Sequence, residues 1–399
     1  AARAGRREMR VLYVNHTARM SGGERSLLDL LAGLPANVTP VLACPEGPLA
    51  AAARQIGVRV VRIRGTDGSL KLHPLWTTQA LVEIAVAAGS VRRLSSRVGA
   101  DLIHANSIRA GMTVSLAARM GAPPALVHVH DALPPGRVSD LTRRAVGAGA
   151  VGLLPNSRYT EASFRPPGFR GFVRVVDNPV DLERFDPGSV DRDVARAALG
   201  IEPDELALGV VAQITPWKGQ DDAIRILAGL RERHPRARLL LAGSTKFTSR
   251  ATRYDNPAFL RRLRELANEL GVVGGVTFLG EREDIPSILR ALDIALVPSW
   301  EEPFGRSVIE AMAMGVPVAA TSAGGPAEII RDGVDGLLLP PRDPQAWTAA
   351  IAPLAEDPAG RAEMGARGRE RAAARYGVET FVRAVVGAYD EALRVNRRR

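Results

Sequence analysis

The nine residues EPFGRSVIE, positions 302–310, set two carboxylates, Glu302 and Glu310, eight positions apart around Phe304-Gly305-Arg306. The run before them, DIALVPS (293–299), is short, apolar and rich in branched residues, so it reads as a buried strand. The run after them, VIEAMAMG (308–315), reads as a helix. Gly305 therefore falls where a strand ends and a helix begins, the place where an α/β sheet offers backbone N–H groups to an anion. Glu310 would lie about five residues into that helix, roughly 7–8 Å down its axis. A loop carboxylate, a glycine-led helix start and a second carboxylate one turn in could hold sugar hydroxyls, phosphate and ribose in that order. From spacing alone a second reading stays open: Glu302 as a charge favouring the helix dipole, and Glu310 as a solvated face residue.

Working outward, strand-like apolar runs alternate with longer helical stretches from end to end, the pattern of parallel α/β sheets. Strands are expected near 10–15, 39–44, 58–64, 101–105, 125–130, 150–155 and 173–177, then near 206–213, 237–242, 276–279, 293–298, 317–321 and 336–339. Between these sets NPVDLERFDPG (178–188) has the Pro, Asp and Gly content of a linker. The division expected is a domain over 1–181, a second over 182–376, and a terminal helical segment over 377–399 after a break at Tyr376-Gly377. Two doubly wound, Rossmann-like domains would face a cleft. Residues 66–78, with Trp76, read as a polar connection between a strand and a helix. The stretch 244–256 is long for a strand-to-helix connection.

The bulk properties narrow the class. A chain of 399 residues with 46% hydrophobic content can build two sizeable cores. Cys44 is the only cysteine, which excludes an internal disulfide framework and a four-thiolate metal site and fits a reducing cytoplasm. The N-terminal AARAGRREMRVLYVN passes from basic residues straight into a strand, without a signal-peptide apolar core. Apolar stretches such as 145–155 fall short of the roughly 18 residues a membrane span needs. A soluble, cytoplasmic protein is expected, and the N-x-T matches at Asn15 and Asn37 read as chance. Residues 1–181 hold 23 Lys+Arg against 12 Asp+Glu, whereas the remainder holds 30 against 31. The basic half leaves open a peripheral contact with an anionic membrane face. Nucleic acid is disfavoured: the arginines are dispersed, and aromatics, at 5%, are too few for stacking platforms.

The polar residues that stand out sit at the carboxyl ends of expected strands, where doubly wound sheets collect ligands. Gly22-Gly23 follow the first strand and open a helix with Ser21 as a candidate N-cap. Without side chains there, a phosphate or sugar could approach the backbone; alone, a Gly-Gly pair is as readily a turn. His130-Asp131 end the strand ALVHVH, with Asp131 placed to orient the imidazole or to bind hydroxyls, and His128 reads as packing. Lys218, in TPWKGQ (215–220), precedes a helix in a loop stiffened by Pro216 and Trp217, though a lone lysine is usually solvated surface. The Gly22-Gly23 loop is not the G-x-G-x-x-G dinucleotide fingerprint, which disfavours a nicotinamide enzyme, and there is no H-E-x-x-H, G-x-S-x-G or Cys/His cluster, so the common metal-site motifs are disfavoured too.

These segments together resemble one family. SGGE (21–24), HD (130–131), NS (156–157), NPVDLERF (178–185), TPWKGQ (215–220), PSWEEPFG (298–305) and AGG (323–325) occur in the order of the retaining GT-B glycosyltransferases of family four. EPFGRSVIE is similar to that family's E-x7-E motif. The resemblance implies a GT-B fold, a C-terminal helix packing back on the first domain, and transfer of a hexose-type sugar to a hydroxyl acceptor. It implies a nucleotide-diphosphate sugar donor, UDP-linked in preference to GDP-linked, no metal or other cofactor, and an acceptor side that the loop 66–78 could help to line unless it is an ordinary connection. It would give Glu310 the ribose, Glu302 the sugar hydroxyls, and the backbone of Phe304, Gly305, Arg306, Ser307 and Val308 the sugar and phosphate. Lys218 would meet the diphosphate, Arg282 the nucleobase, Gly22 and Gly23 the diphosphate and acceptor, and His130 the reacting face of the sugar. His130, Lys218 and Glu302 would then be the catalytic set. The chain departs from the pattern at Ala212-Gln213, where the family commonly carries Gly-Arg, so Gln213 brings a hydrogen bond without charge, with Arg306 and Lys246 as candidate compensators. Two other readings accompany the transferase: a nucleotide-sugar 2-epimerase of the same fold, and a weakly active sugar-nucleotide-binding partner protein.

Overall fold

Alternation along each strand decides which face it presents to which core. In the first strand Val11 and Tyr13 enter one hydrophobic cluster, while Leu12 and Val14 enter another on the opposite face, and all four are buried. A computed structural model describes residues 8–65, 74–246 and 254–397. It resolves them into two units, Ala1–Pro179 with Val378–Arg399, and Val180–Gly377.

The first unit is a seven-stranded parallel sheet of β1 (Met9–Val14), β2 (Val38–Cys44), β3 (Arg59–Arg62), β4 (Leu102–Ala105), β5 (Ala125–Val129), β6 (Ala150–Pro155) and β7 (Phe172–Val173). Its strand order is β3-β2-β1-β4-β5-β6-β7. The chain leaves β1 toward one side and β4 toward the other, so a crevice opens beyond their carboxyl ends. The terminal helix Val378–Asn396 buries Phe381, Val385 and Tyr389 on one stripe, with Val382 and Val386 beside it, in the cluster that holds Tyr13, Leu42, Leu102 and Leu126.

The second unit repeats the plan with six parallel strands, β8 (Ala207–Val211), β9 (Arg238–Ala242), β10 (Val276–Gly280), β11 (Ile294–Val297), β12 (Val318–Thr321) and β13 (Leu337–Leu339). The order is β10-β9-β8-β11-β12-β13, which puts its switch point between β8 and β11. At the opposite end of this pair, Asp293 gathers Arg192 at 2.8 Å, Arg196 at 3.2 Å and Arg361 at 3.7 Å. That cluster ties the helix Arg192–Ala198 to the sheet and stands away from the ligand edge.

All thirteen expected strands are present, with two local differences. The seventh has two residues rather than the five of 173–177. Beyond Val173 the chain still donates from Arg174 N–H to Leu153 O and from Val176 N–H to Pro155 O, so it runs beside β6 without a full ladder. The stretch 66–78 is not a continuous connection: a helix starts at Pro74 and takes in Trp76, and 66–73 lie outside the described residues. In 244–256, residues 247–253 also lie outside them, and a helix begins at Asn256. Among the described residues no helix is long and apolar enough to cross a membrane.

Candidate active site

In the first unit the chain beyond β1 supplies Asn15, Ser21 and Glu24, that beyond β4 supplies Asn106, and that beyond β5 supplies His130. Glu24, 4% exposed, sits in the first turn of the helix Gly22–Ala32 and accepts from the Ser21 backbone N–H at 3.1 Å. That bond satisfies a donor the helix start would otherwise leave open. The other Glu24 oxygen accepts from Asn15 Nδ2 at 3.1 Å, and the same Nδ2 donates to Thr17 O at 2.7 Å. Asn106 Nδ2 donates to Asn15 Oδ1 and to Gly23 O, each at 3.2 Å. Asn106 Oδ1 lies 3.2 Å from His130 Nε2.

The donors and acceptors fall into one order. Thr17 O only accepts, so Asn15 faces it with its NH2 and turns its oxygen to Asn106; Gly23 O independently demands the Asn106 NH2. His130 Nε2 must then donate to Asn106, which makes the neutral imidazole the Nε2–H tautomer with its lone pair on Nδ1. The ring is also held mechanically. A Cβ at Gly23 would come within 3.1 Å of His130 Cδ2, so a side chain there would press on the ring and shift it by a few tenths of an ångström. On the other side His128 stacks at 4.2 Å between ring centroids. Burial pushes the pKa of His128 well below the usual histidine range and that of His104, behind it, down to about 3. His104 Nδ1 lies 2.7 Å from Tyr389 OH, which donates to Tyr13 OH at 2.9 Å. Asn156 Nδ2 donates to the His130 carbonyl at 3.2 Å. Asn106 occupies the Nε2 side of the ring, and Asp131, next along the chain, is exposed.

In the second unit the loop after β8 and the loop after β11 meet at the switch point. Lys218 Nζ lies 2.5 Å from Glu302 Oε2, with the two side chains 15% and 9% exposed, and the same oxygen accepts from Ser299 Oγ at 3.0 Å. The Lys218 ammonium also sits 4.1 Å from the centre of the Trp217 ring, and Trp300 N–H donates to Trp217 O at 2.9 Å, joining the two loops. Glu302 is held at its backbone by the AGG segment: its N–H donates to Ala323 O at 3.1 Å and its carbonyl accepts from Gly325 N–H at 2.8 Å. Gly324, at φ 106°, passes so close to the Glu302 carbonyl that a side chain has no room.

Gly305, also at φ 106°, caps the helix Arg306–Ala313, whose first amides face the loop. Glu310 is the fifth residue of that helix and pairs with Arg306 at 3.3 Å, both side chains 12% exposed. Phe304 and Val308 are core residues, Phe304 packing edge-on against Tyr376, so only their backbones are open to a ligand. Lys218, Ser299 and Ser307 line one small cavity at the ends of β8 and β11. Gln213 accepts at its backbone from Gln220 Nε2 at 2.8 Å. Arg282 lies two strands away, beyond β10, with its guanidinium forked onto Asp284 at 2.7 and 2.5 Å. Of the two candidate compensators, Lys246 pairs with Glu281 at 2.9 Å and Arg306 with Glu310.

The structure thus brings Lys218 to Glu302 and Arg306 to Glu310, and in the other unit sets Gly23 against His130. Sequence reasoning missed Asn15, Asn106 and Ser299, and took Glu24 only as part of SGGE. A signal for Glu24 was present, since S-x-x-E before an apolar run is a capping-box pattern.

Comparison with known proteins bears on the family and the fold. Residues 20–184 match the family described as Glycosyltransferase Family 4, and residues 191–371 match Glycosyl transferases group 1. A D-inositol 3-phosphate glycosyltransferase of Stackebrandtia nassauensis is 34% identical over 317 residues, covering 73% of this chain and 68% of the relative. One of Salinispora arenicola is 33% identical over 334 residues, 77% of this chain and 73% of the relative. Among solved structures, that of Anabaena Alr3699/HepE in complex with UDP-glucose superimposes with a TM-score of 0.79 at 24% identity, covering 96% of this chain and 100% of the other. With two doubly wound sheets, a ligand edge at each switch point and this identity over most of both chains, the protein belongs to glycosyltransferase family 4.

Proposed function

We propose that the chain is a retaining hexosyltransferase that moves a sugar from a UDP-sugar to a hydroxyl acceptor without a metal ion. The observation that carries the reading is the Lys218–Glu302 pair, held at a switch point beside the helix start at Gly305 and the carboxylate of Glu310. Glu310 would accept from the ribose hydroxyls and Glu302 from those of the sugar, while Lys218 and the first amides of the helix Arg306–Ala313 take the diphosphate. A cation and fixed amides aimed at charge growing on the leaving group supply the stabilisation that bound Mg²⁺ supplies in other transferases. The acceptor hydroxyl would enter on the face from which the diphosphate departs, forming a C1–O bond as the C1–O–phosphate bond breaks. Its proton passes to the departing phosphate oxygen, and the anomeric configuration is kept. His130 and the glycine-led helix start at Gly22–Gly23 would serve the reacting sugar and the acceptor.

Uridine is favoured because a protein of similar fold binds UDP-glucose, and a phosphorylated inositol is the first acceptor to test because relatives are named for it. Incubation of the protein with UDP-glucose and inositol phosphate in excess EDTA should give a product with retained anomeric configuration by NMR, and Lys218→Ala should abolish it. A strict metal requirement, or an inverted anomer, defeats the proposal.

One observation favours a second reading, a weakly active sugar-nucleotide-binding protein. Gln213 carries no charge, and both candidate compensators are engaged by carboxylates. If leaving-group stabilisation limits the rate, Gln213→Arg should raise the single-turnover rate at saturating donor. A fall with donor affinity intact removes the deficit and this reading with it.

A further inference from the structure

We propose that the Lys218–Glu302 ion pair discriminates the intact donor from the spent nucleotide, so that a nucleoside diphosphate lacking its sugar is bound weakly and released readily. The inference rests on the donor reading above. Both members of the pair are anchored at the backbone, so one can follow the other only by side-chain rotation. Glu302 is pinned at its backbone by Ala323 and Gly325. Lys218 lies in a short helical turn, Pro216–Lys218, whose Trp217 carbonyl is bonded to Trp300. When a diphosphate takes Lys218, Glu302 keeps Ser299 as its donor but loses its cation while nine-tenths buried. A buried carboxylate stripped of one partner is costly, and the cost falls on the ligand that stripped it.

An intact donor offsets that cost, because the hydroxyls of its sugar donate to Glu302 as the lysine leaves. The spent nucleotide has no such hydroxyls. The second pair in the site provides the internal contrast. Arg306 and Glu310 are likewise engaged with each other at 3.3 Å. The ribose that would donate to Glu310 is present in donor and product alike, so that exchange carries no discrimination.

Calorimetric titration of UDP and UDP-glucose into the wild type, Glu302→Gln and Glu310→Gln tests this, with GDP and GDP-mannose run alongside and Glu302→Ala as a second variant should the first fail to fold. Glu302→Gln should bind UDP about tenfold tighter than the wild type, while its affinity for UDP-glucose does not rise. Glu310→Gln, equal in charge, should move both ligands by a similar factor. If Glu302→Gln binds UDP no tighter, or tightens UDP and UDP-glucose equally, the ion pair exerts only a general charge effect and the proposal fails. If no nucleotide binds the wild type, the donor reading itself falls.

Discussion

Replacing Gly324 by alanine should disable this protein through the backbone of Glu302, against which Gly324 packs. An ideal Cβ on Gly324 would stand 2.1 Å from the Glu302 carbonyl oxygen. Carbon and oxygen do not approach much closer than about 3.3 Å even in favourable C–H···O contacts, so the two backbones must part by roughly 1 Å. The hydrogen bonds on either side, Glu302 N–H to Ala323 O and Gly325 N–H to Glu302 O, pass that shift to the residue that meets Lys218. A misplacement of about 1 Å in a reacting constellation can cost on the order of a hundredfold in rate. The backbone angle adds about 1–3 kcal/mol of destabilisation. Gly333 separates the two effects: it also has a positive φ, 69°, but a Cβ there meets nothing within 4 Å. Gly333→Ala should therefore cost about 1 kcal/mol and leave turnover unchanged. The assay is turnover at saturating donor beside thermal unfolding, on both variants. A Gly324→Ala protein that matches Gly333→Ala in both measurements would refute the claim that AGG exists to place Glu302.

Three further outcomes are expected. Glu310→Ala should weaken UDP binding about tenfold or more, the worth of a charge-assisted hydrogen bond, and unchanged affinity in a folded variant would remove Glu310 from the ribose. Imidazole 15N spectra of the wild type should show His130 as the Nε2–H tautomer, and Asn106→Leu should let the Nδ1–H form appear; a wild-type Nδ1–H tautomer would overturn the hydrogen-bond order traced from Thr17. His104 and His128 are neutral in the fold and titrate near 6.5 once unfolded. Their contribution is therefore complete above that pH and is lost as the pH falls, by about 2 kcal/mol per histidine at pH 5. Hydrogen exchange of the β4 and β5 amides should accelerate accordingly between pH 7 and 5, after correction for intrinsic exchange, and His128→Leu should flatten the trend.

Both the legible and the illegible parts of this site have physical causes. Strands buried on both faces are written as local apolar runs, and each expected strand is found. Where a run was extended but its partner short, as beyond Val173, apolarity overstated the ladder, because pairing depends on the neighbour and not on the run itself. EPFGRSVIE was readable because a strand end, a glycine and a helix start lie within one contiguous segment. The chain from Thr17 to His130 was not. Asn15, Glu24, Asn106 and His130 come from three segments separated by up to 91 positions in a single hydrogen bond. They meet only because β4 lies beside β1 and β5 beside β4, a strand order that alternation along the sequence does not specify.

The same distinction explains why the charges in the second unit were read as separate ligand groups. Local sequence places Lys218 before one helix and Glu302 before another, 84 positions apart, each with its own use. Adjacency of β8 and β11 makes them partners, so on the proposed donor reading each would exchange the other for a ligand group. Affinity there reflects the difference between two sets of hydrogen bonds rather than the sum of one. A ligand is favoured only to the extent that it satisfies both members at once. On the donor reading proposed above, that requirement, more than the identity of any one residue, would suit this sheet edge to a molecule carrying a diphosphate and a sugar together.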